Sequence, residues 1–254
     1  MKDFSDILIC SDFDGTLFNK EVVSDTDAEA IRYFQERGGA FTLCSGRLPY
    51  VLNEKRVTNI SLNAPIISMN GALIYDLENE KKLFEDLMDT SIVDYIFKVC
   101  DATEDIDSLF IPAYDDIEEA ELISPSDREG IRSVIEHGAY KTVFRINKEK
   151  SGDAALALIK SIVPERFAIS RSWIWGVEVQ NATSSKGLSA RKVADMLGRG
   201  TLICVGDYEN DLSMIQEADI GYAVANACDA LKGVADRVTS ERVGGAIAQI
   251  IYSI

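Results

Sequence analysis

The chain has 254 residues, 46% of them hydrophobic and 27% charged, with a formal net charge of −16. That is enough chain for one large domain or two small ones with a substantial core. The negative field excludes nonspecific binding to nucleic acid or anionic membrane, because it repels polyanions. A small anionic substrate is still admitted where a metal ion or a few cations invert the field inside a pocket.

In chain order, Ile7 to Ser11 reads as a buried strand running into Asp12-Phe13-Asp14-Gly15-Thr16-Leu17. Ser24 and Asp27 offer a helix start, Ala28, Ile31 and Phe34 mark its apolar face, and Gly38-Gly39 ends it. Ala40 to Cys44 is a second strand, and Pro49 suits the start of a helix. Ile66 to Ser68 is a third strand, closed by an Asn70-Gly71 turn. This rhythm predicts a parallel sheet covered by helices.

The middle, from about Leu83 to Gln180, mixes strand alternation with helix patterns. Phe144 and Ile146 share one strand face, and Trp173, Trp175, Val177 and Val179 repeat at period two. Both tryptophans read as core, with stacking on a substrate as the alternative. Ala154 to Ile162 is a helix, and His137 reads as a solvated helix-end residue. The acidic stretch from Asp101 to Glu121 reads as solvated surface.

The first rhythm then resumes. Leu188, Val193 and Leu197 suggest a helix stopped by Gly198, and Thr201 to Val205 is a buried strand. Asn210 to Ala218 is a helix, Ile220 to Val224 a strand, and a last helix starts near Val243. The expected fold class is α/β: a Rossmann-like, doubly wound parallel sheet core (1–82 and 183–254) with an inserted α+β module (83–182). Five cysteines with no C-x-x-C pair read as buried thiols. With a polar start and no run near the ~20 apolar residues of a membrane span, they predict a cytoplasmic protein.

Chemistry gathers at the strand ends. Two carboxylates two residues apart after a buried strand, then a glycine, suit a site better than a strand, although Asp-Gly is also ordinary turn chemistry. A second acidic run, Gly206-Asp207-Tyr208-Glu209-Asn210-Asp211, follows another buried strand. Parallel strands emerge at one edge, so Asp12, Asp14, Asp207 and Asp211 can converge there. Oxygen donors without a histidine cluster or paired thiols point to Mg²⁺. Helix N-capping explains one of these aspartates well and the cluster poorly. Ser45-Gly46-Arg47, leading into a helix, suits a phosphoryl oxygen. Lys186, at another helix start, could neutralise a transferring group.

Together these segments resemble the haloacid dehalogenase-like (HAD) hydrolases. Asp12-Phe13-Asp14-Gly15-Thr16 looks like their first motif, Ser45-Gly46-Arg47 the second, Lys186-Gly187 the third, and Gly206-Asp207 with Asn210-Asp211 the fourth. Asn70-Gly71-Ala72 and Asn226-Ala227 are similar to signatures of the Cof-type branch, subfamily IIB, which inserts an α/β cap between motifs two and three. Val224, where relatives often carry methionine, is a minor departure.

The resemblance implies a Mg²⁺-dependent phosphatase of small phosphorylated metabolites, sugar phosphates first, working through an aspartyl-phosphate. Asp12 would be the nucleophile and Asp14 the acid and base, with Ser45 and Lys186 holding the phosphoryl group. Ser45, Gly46, Arg47, Asn70, Lys186 and Asn210 would bind substrate. Asp12, Asp14 (through its carbonyl), Asp207 and Asp211 would serve the metal, with Asn210 and Asp211 supporting its shell or positioning Lys186. Arg47 has a surface salt bridge as its plain alternative. A sugar phosphomutase of the same fold and a phospho-accepting signalling receiver are the competing readings. No nucleic-acid or membrane partner is expected, and the assembly is expected to be a monomer or homodimer.

Overall fold

A computed structural model describes residues 2–18, 22–52, 59–113 and 120–254. The chain forms two compact units, Met1–Phe84 with Ser185–Ile254, and Glu85–Ser184.

The first unit is built on a parallel sheet in the order Arg237–Val238, Ile220–Ala223, Thr201–Gly206, Ile7–Ser11, Ala40–Leu43. Its central strands are near-continuous apolar runs because both faces are covered. From Ile7–Ser11 the chain steps outward to Ala40–Leu43, and it later returns on the opposite flank at Thr201–Gly206. The carboxyl ends of Ile7–Ser11 and Thr201–Gly206 therefore flank a topological switch point. In register, Cys10 lies opposite Cys204 and Ser11 opposite Val205, so Asp12 and Gly206 leave the sheet at one level.

The Asp25–Gln35 helix packs on Ala246–Ser253, and Lys186–Met196 packs on Leu212–Glu217. Crossovers between parallel strands of one sheet are right-handed as a rule, so steps to opposite flanks of the central strand assign these pairs to opposite faces of a doubly wound sheet. Ser24 caps the first helix by accepting the Asp27 N–H at 3.1 Å. Buried Asp27 in turn accepts the Ala248 N–H at 2.8 Å, in the opening turn of the final helix.

Several elements differ locally from the sequence reading. The second strand's ladder ends at Leu43, and Cys44 makes a single parallel bridge to Ile67. The Asn70-Gly71 turn is a 3-10 turn with Met69 and Asn70 both left-handed (φ 52° and 55°). The predicted Asn210–Ala218 helix begins as a 3-10 turn, Glu209–Asp211, and continues as Leu212–Glu217. The last helix starts at Ala246 rather than Val243. Leu188 does not belong to the buried stripe of its helix: it is 40% exposed, while Ala190, Val193 and Ala194 are buried.

The second unit is an antiparallel sheet in the order Leu122–Ile123, Ile106–Phe110, Thr142–Ile146, Gly176–Asn181, Phe167–Trp173. Phe144, Ile146, Val177 and Val179 join Ile96 and Val99 of the Ile92–Ala102 helix and Ile159 of Gly152–Ile162 in one apolar core. The tryptophans require a correction. One strand ends at Trp173 and the next starts at Gly176, so a hairpin turn breaks the period-two run. Trp175 packs against the core half-buried, but Trp173 is exposed.

His137 is exposed just beyond the Arg128–Val134 helix. Of the acidic stretch, Asp101, Glu104, Asp107 and Glu121 are exposed, and residues 114–119 lie outside the described residues. The five cysteines are free thiols, with Cys10, Cys44 and Cys204 buried. Among the described residues no helix is long and apolar enough to cross a membrane.

Candidate active site

The site is assembled at the switch point. Asp12 continues the ladder one step past the strand, donating its N–H to the Val205 carbonyl at 2.9 Å. Its carboxylate is buried. Lys186 opens its helix with a side chain only 1% exposed, and its Nζ donates to Asp12 Oδ1 and to Asp211 Oδ1, both at 2.6 Å. The other Asp211 oxygen accepts the N–H groups of Asp207 and Tyr208 at 2.9 and 3.1 Å. Thr16 Oγ1 donates to Asp207 Oδ1 at 3.1 Å. One carboxylate oxygen from each of Asp12, Asp207 and Asp211 falls within 4.8 Å of the others.

Burial governs the charges. It pushes the Asp12 carboxyl well above its usual range; Asp211 and Asp207 add to the shift and Lys186 opposes it. Burial and then Asp211 raise Asp207 to about 6. Burial pulls Lys186 down, but Asp12 and Asp211 outweigh it, and the amine is held as an ammonium well above its ordinary range. Three carboxylates facing one ammonium leave the cluster negative when ionised. An all-oxygen, electron-rich, buried donor set of this kind fits a hard divalent cation. Both Asp211 oxygens are already engaged, which matches the alternative of positioning Lys186 more closely than that of a metal ligand.

Glycines allow the loops to crowd together. Gly15 has φ +83°, and a Cβ there would overlap Asp207 Oδ2. Gly71 has φ +98°, and a Cβ there would overlap the Ser185 carbonyl, at the cap of the Lys186 helix. Ser189 Oγ donates to the Gly71 carbonyl at 2.6 Å, locking that turn to the helix. Asn226 ties in the first loop: its Nδ2 donates to the Gly15 carbonyl at 2.8 Å and its Oδ1 accepts the Val243 N–H at 3.0 Å.

Ser45 is buried; its N–H meets the Ile67 carbonyl, its carbonyl accepts the Asn70 N–H (both 2.9 Å), and its Oγ accepts the Arg47 N–H at 3.2 Å. Gly46, in the same loop, is half-buried. Asn70 is buried, and its Oδ1 accepts Asn210 Nδ2 at 3.4 Å, joining two loops. Asp14 is outside the buried cluster. Its carboxylate is half exposed and takes two bonds from Arg47, Nε to Oδ2 at 2.6 Å and Nη2 to Oδ1 at 2.5 Å. The surface ion pair is thus the arrangement Arg47 adopts here. Sequence reasoning assigns no role to the Thr16 hydroxyl or the Asn226 amide; the only signal for either is its place inside a quoted motif.

A family model of the haloacid dehalogenase-like hydrolases matches residues 9–251. The chain belongs to that family. It is a Cof-type member, a phosphatase of the HAD fold. It is 27% identical over 248 residues to the Bacillus subtilis 5-amino-6-(5-phospho-D-ribitylamino)uracil phosphatase YcsE, covering 96% of this chain and 94% of that one. It is 24% identical over 272 residues to the Escherichia coli pyridoxal phosphate phosphatase YbhA, covering 97% of each. Among solved structures, an HAD/COF-like hydrolase from Plasmodium vivax superposes with a TM-score of 0.82 at 20% identity, over 98% of this chain and 95% of that one.

Proposed function

We propose that this HAD phosphatase hydrolyses phosphate monoesters of small metabolites with Asp12 as nucleophile. An Asp12 carboxylate oxygen attacks phosphorus, the ester P–O bond breaks, and Asp14 gives its proton to the leaving alkoxide. Asp14 then takes a proton from water as that water attacks the aspartyl-phosphate, releasing inorganic phosphate and restoring Asp12. Lys186 and Ser45 hold phosphoryl oxygens while negative charge spreads over them. Asp211 orients Lys186, Asn70 with Asn210 faces the substrate side, and Arg47 reaches substrate only on leaving Asp14, with Gly46 leaving room for the phosphoryl group beside Ser45. Asp12 and Asp207, with the Asp14 carbonyl, would hold Mg²⁺, which when bound neutralises the cluster and polarises the phosphoryl group.

One observation carries this reading: the buried Lys186 ammonium joins Asp12 to Asp211 beside Asp207, on loops far apart in sequence. Such a cluster is costly without a cation and an anionic substrate to use it. YcsE and YbhA are named for phosphate esters of small metabolites. Those names support the same substrate scale here, with sugar phosphates and phosphorylated cofactors as the first classes to assay. On this reading the enzyme acts in the cytoplasm, as a monomer or homodimer, without nucleic-acid or membrane partners.

The test is release of inorganic phosphate from a panel of such esters, with Mg²⁺ and with chelator. Turnover that needs Mg²⁺ and vanishes in Asp12→Asn is expected. Turnover retained in that variant contradicts the assignment.

A further inference from the structure

The second unit holds a cavity of about 570 Å³ lined by Trp173, Trp175, Arg145, Lys148, Ser108 and Leu122, among others. That volume lies within the range of roughly 300–1,000 Å³ usual for small-molecule sites. None of its lining residues belongs to the aspartate cluster.

Trp173 supplies a fixed platform. Its ring lies against Gly176, where a Cβ would overlap three ring atoms at once, so only glycine lets the indole rest on the backbone. The residue is nonetheless 39% exposed, and it borders the cavity. The hairpin tip beneath it is anchored. Ile146 donates its N–H to the Trp175 carbonyl at 2.8 Å, Trp175 packs on the core, and Gly152 leaves just enough room for the Ile174 carbonyl. An indole pinned by one side with its ring left accessible is a preorganised stacking surface.

Two cations stand at the same cavity. Arg145 and Lys148 are exposed, and neither meets a carboxylate among the described residues, in a chain of net charge −16. Two carboxylates, Asp107 and Glu149, also line the cavity, and neither pairs with Arg145 or Lys148; Asp107 Oδ1 accepts Asn147 Nδ2 at 3.1 Å, and Asn147 Oδ1 accepts the Glu149 N–H at 2.9 Å. A guanidinium free to make paired bonds recognises a carboxylate or a phosphate.

We infer that this cavity binds a small heteroaromatic anion, its ring stacked on Trp173 and its charged group held by Arg145 and Lys148. The inference is independent of the phosphatase reading and is tested without turnover.

The chain's two tryptophans both line the cavity, so intrinsic fluorescence reports on it directly. Full-length, metal-free protein in chelator is titrated with adenosine 5′-monophosphate, ribose 5-phosphate and adenosine, with calorimetry in parallel. The monophosphate is expected to change the emission saturably and to bind at least tenfold tighter than either fragment. Arg145→Gln is expected to weaken the monophosphate at least tenfold while leaving adenosine unchanged. Trp173→Leu is expected to weaken both ring-bearing probes by calorimetry. Both positions are exposed, and unchanged circular dichroism will verify each variant's fold. No saturable response, ribose 5-phosphate matching the monophosphate, or well-folded variants binding like the parent would overturn the inference.

Discussion

Arg47 grips Asp14 through two nitrogens, at 2.6 and 2.5 Å, on a carboxylate that is half exposed to solvent. The residue proposed to move protons is thus held by a cation rather than by the buried cluster.

An exposed pair of this kind contributes only about 0–1 kcal/mol to stability. Arg47→Ala is expected to shift the unfolding free energy by less than about 1 kcal/mol and to leave kcat for a generic aryl phosphate within about tenfold. Asp14→Asn is expected to lower kcat by about 10²–10⁴, the usual range for a lost acid–base group. Steady-state kinetics and denaturant titration check both. Equal losses in the two variants would make the ion pair, and not Asp14 alone, the working unit.

Lys186→Met leaves Asp12 and Asp211 buried without their shared donor. Breaking a buried pair in this way costs about 3–5 kcal/mol. The metal-free variant is expected to unfold at distinctly lower denaturant, and the phosphatase activity measured with Mg²⁺ to fall about 10²–10³-fold, since charge on the transferring group loses its partner.

Asp207 contributes a pH dependence near neutrality. Its folded value, about 6, lies above its ordinary value of 3.8, so the folded state binds this proton more tightly than the unfolded chain. Stability from this group is therefore full below pH 3.8 and is lost as pH rises through about 6. Metal-free protein is expected to show that loss in thermal melts, and Asp207→Asn to show a flatter profile over the same window. Mg²⁺ competes with the proton, so its affinity is expected to rise as pH rises through about 6.

Gly15→Ala places a methyl group on Asp207 Oδ2 at a φ of +83°. Strain of about 1–3 kcal/mol is expected. Mg²⁺ titration should show weakened affinity, because Asp207 must shift. Val22→Ala, at an exposed side chain in the same unit, serves as the control and is expected to bind metal normally.

Four of the five parallel-sheet strands were legible because each is a short apolar run bounded by turn residues, a pattern independent of tertiary context; Arg237–Val238, a two-residue edge strand with both side chains exposed, carries no such signal. The aspartate cluster was legible because topology alone brings parallel strand ends to one edge, so Asp12 and Asp207 could be paired across 195 residues of sequence. Side-chain commitments were not legible. Whether Arg47 faces substrate or Asp14, and whether Asp211 holds a metal or Lys186, depends on distances of a few ångströms between loops. The tryptophans show the same limit in a strand: Trp173 to Val179 alternates as one strand would, and only the hairpin at Ile174-Trp175 sends the first indole to the surface.

Acid quenching during turnover of an aryl phosphate, followed by peptide mass mapping, tests the central assignment most directly. A phosphoryl group on the Asp12 peptide, absent from Asp12→Asn, is the predicted result. Active enzyme that never carries phosphate at Asp12, or carries it on another side chain, would contradict it.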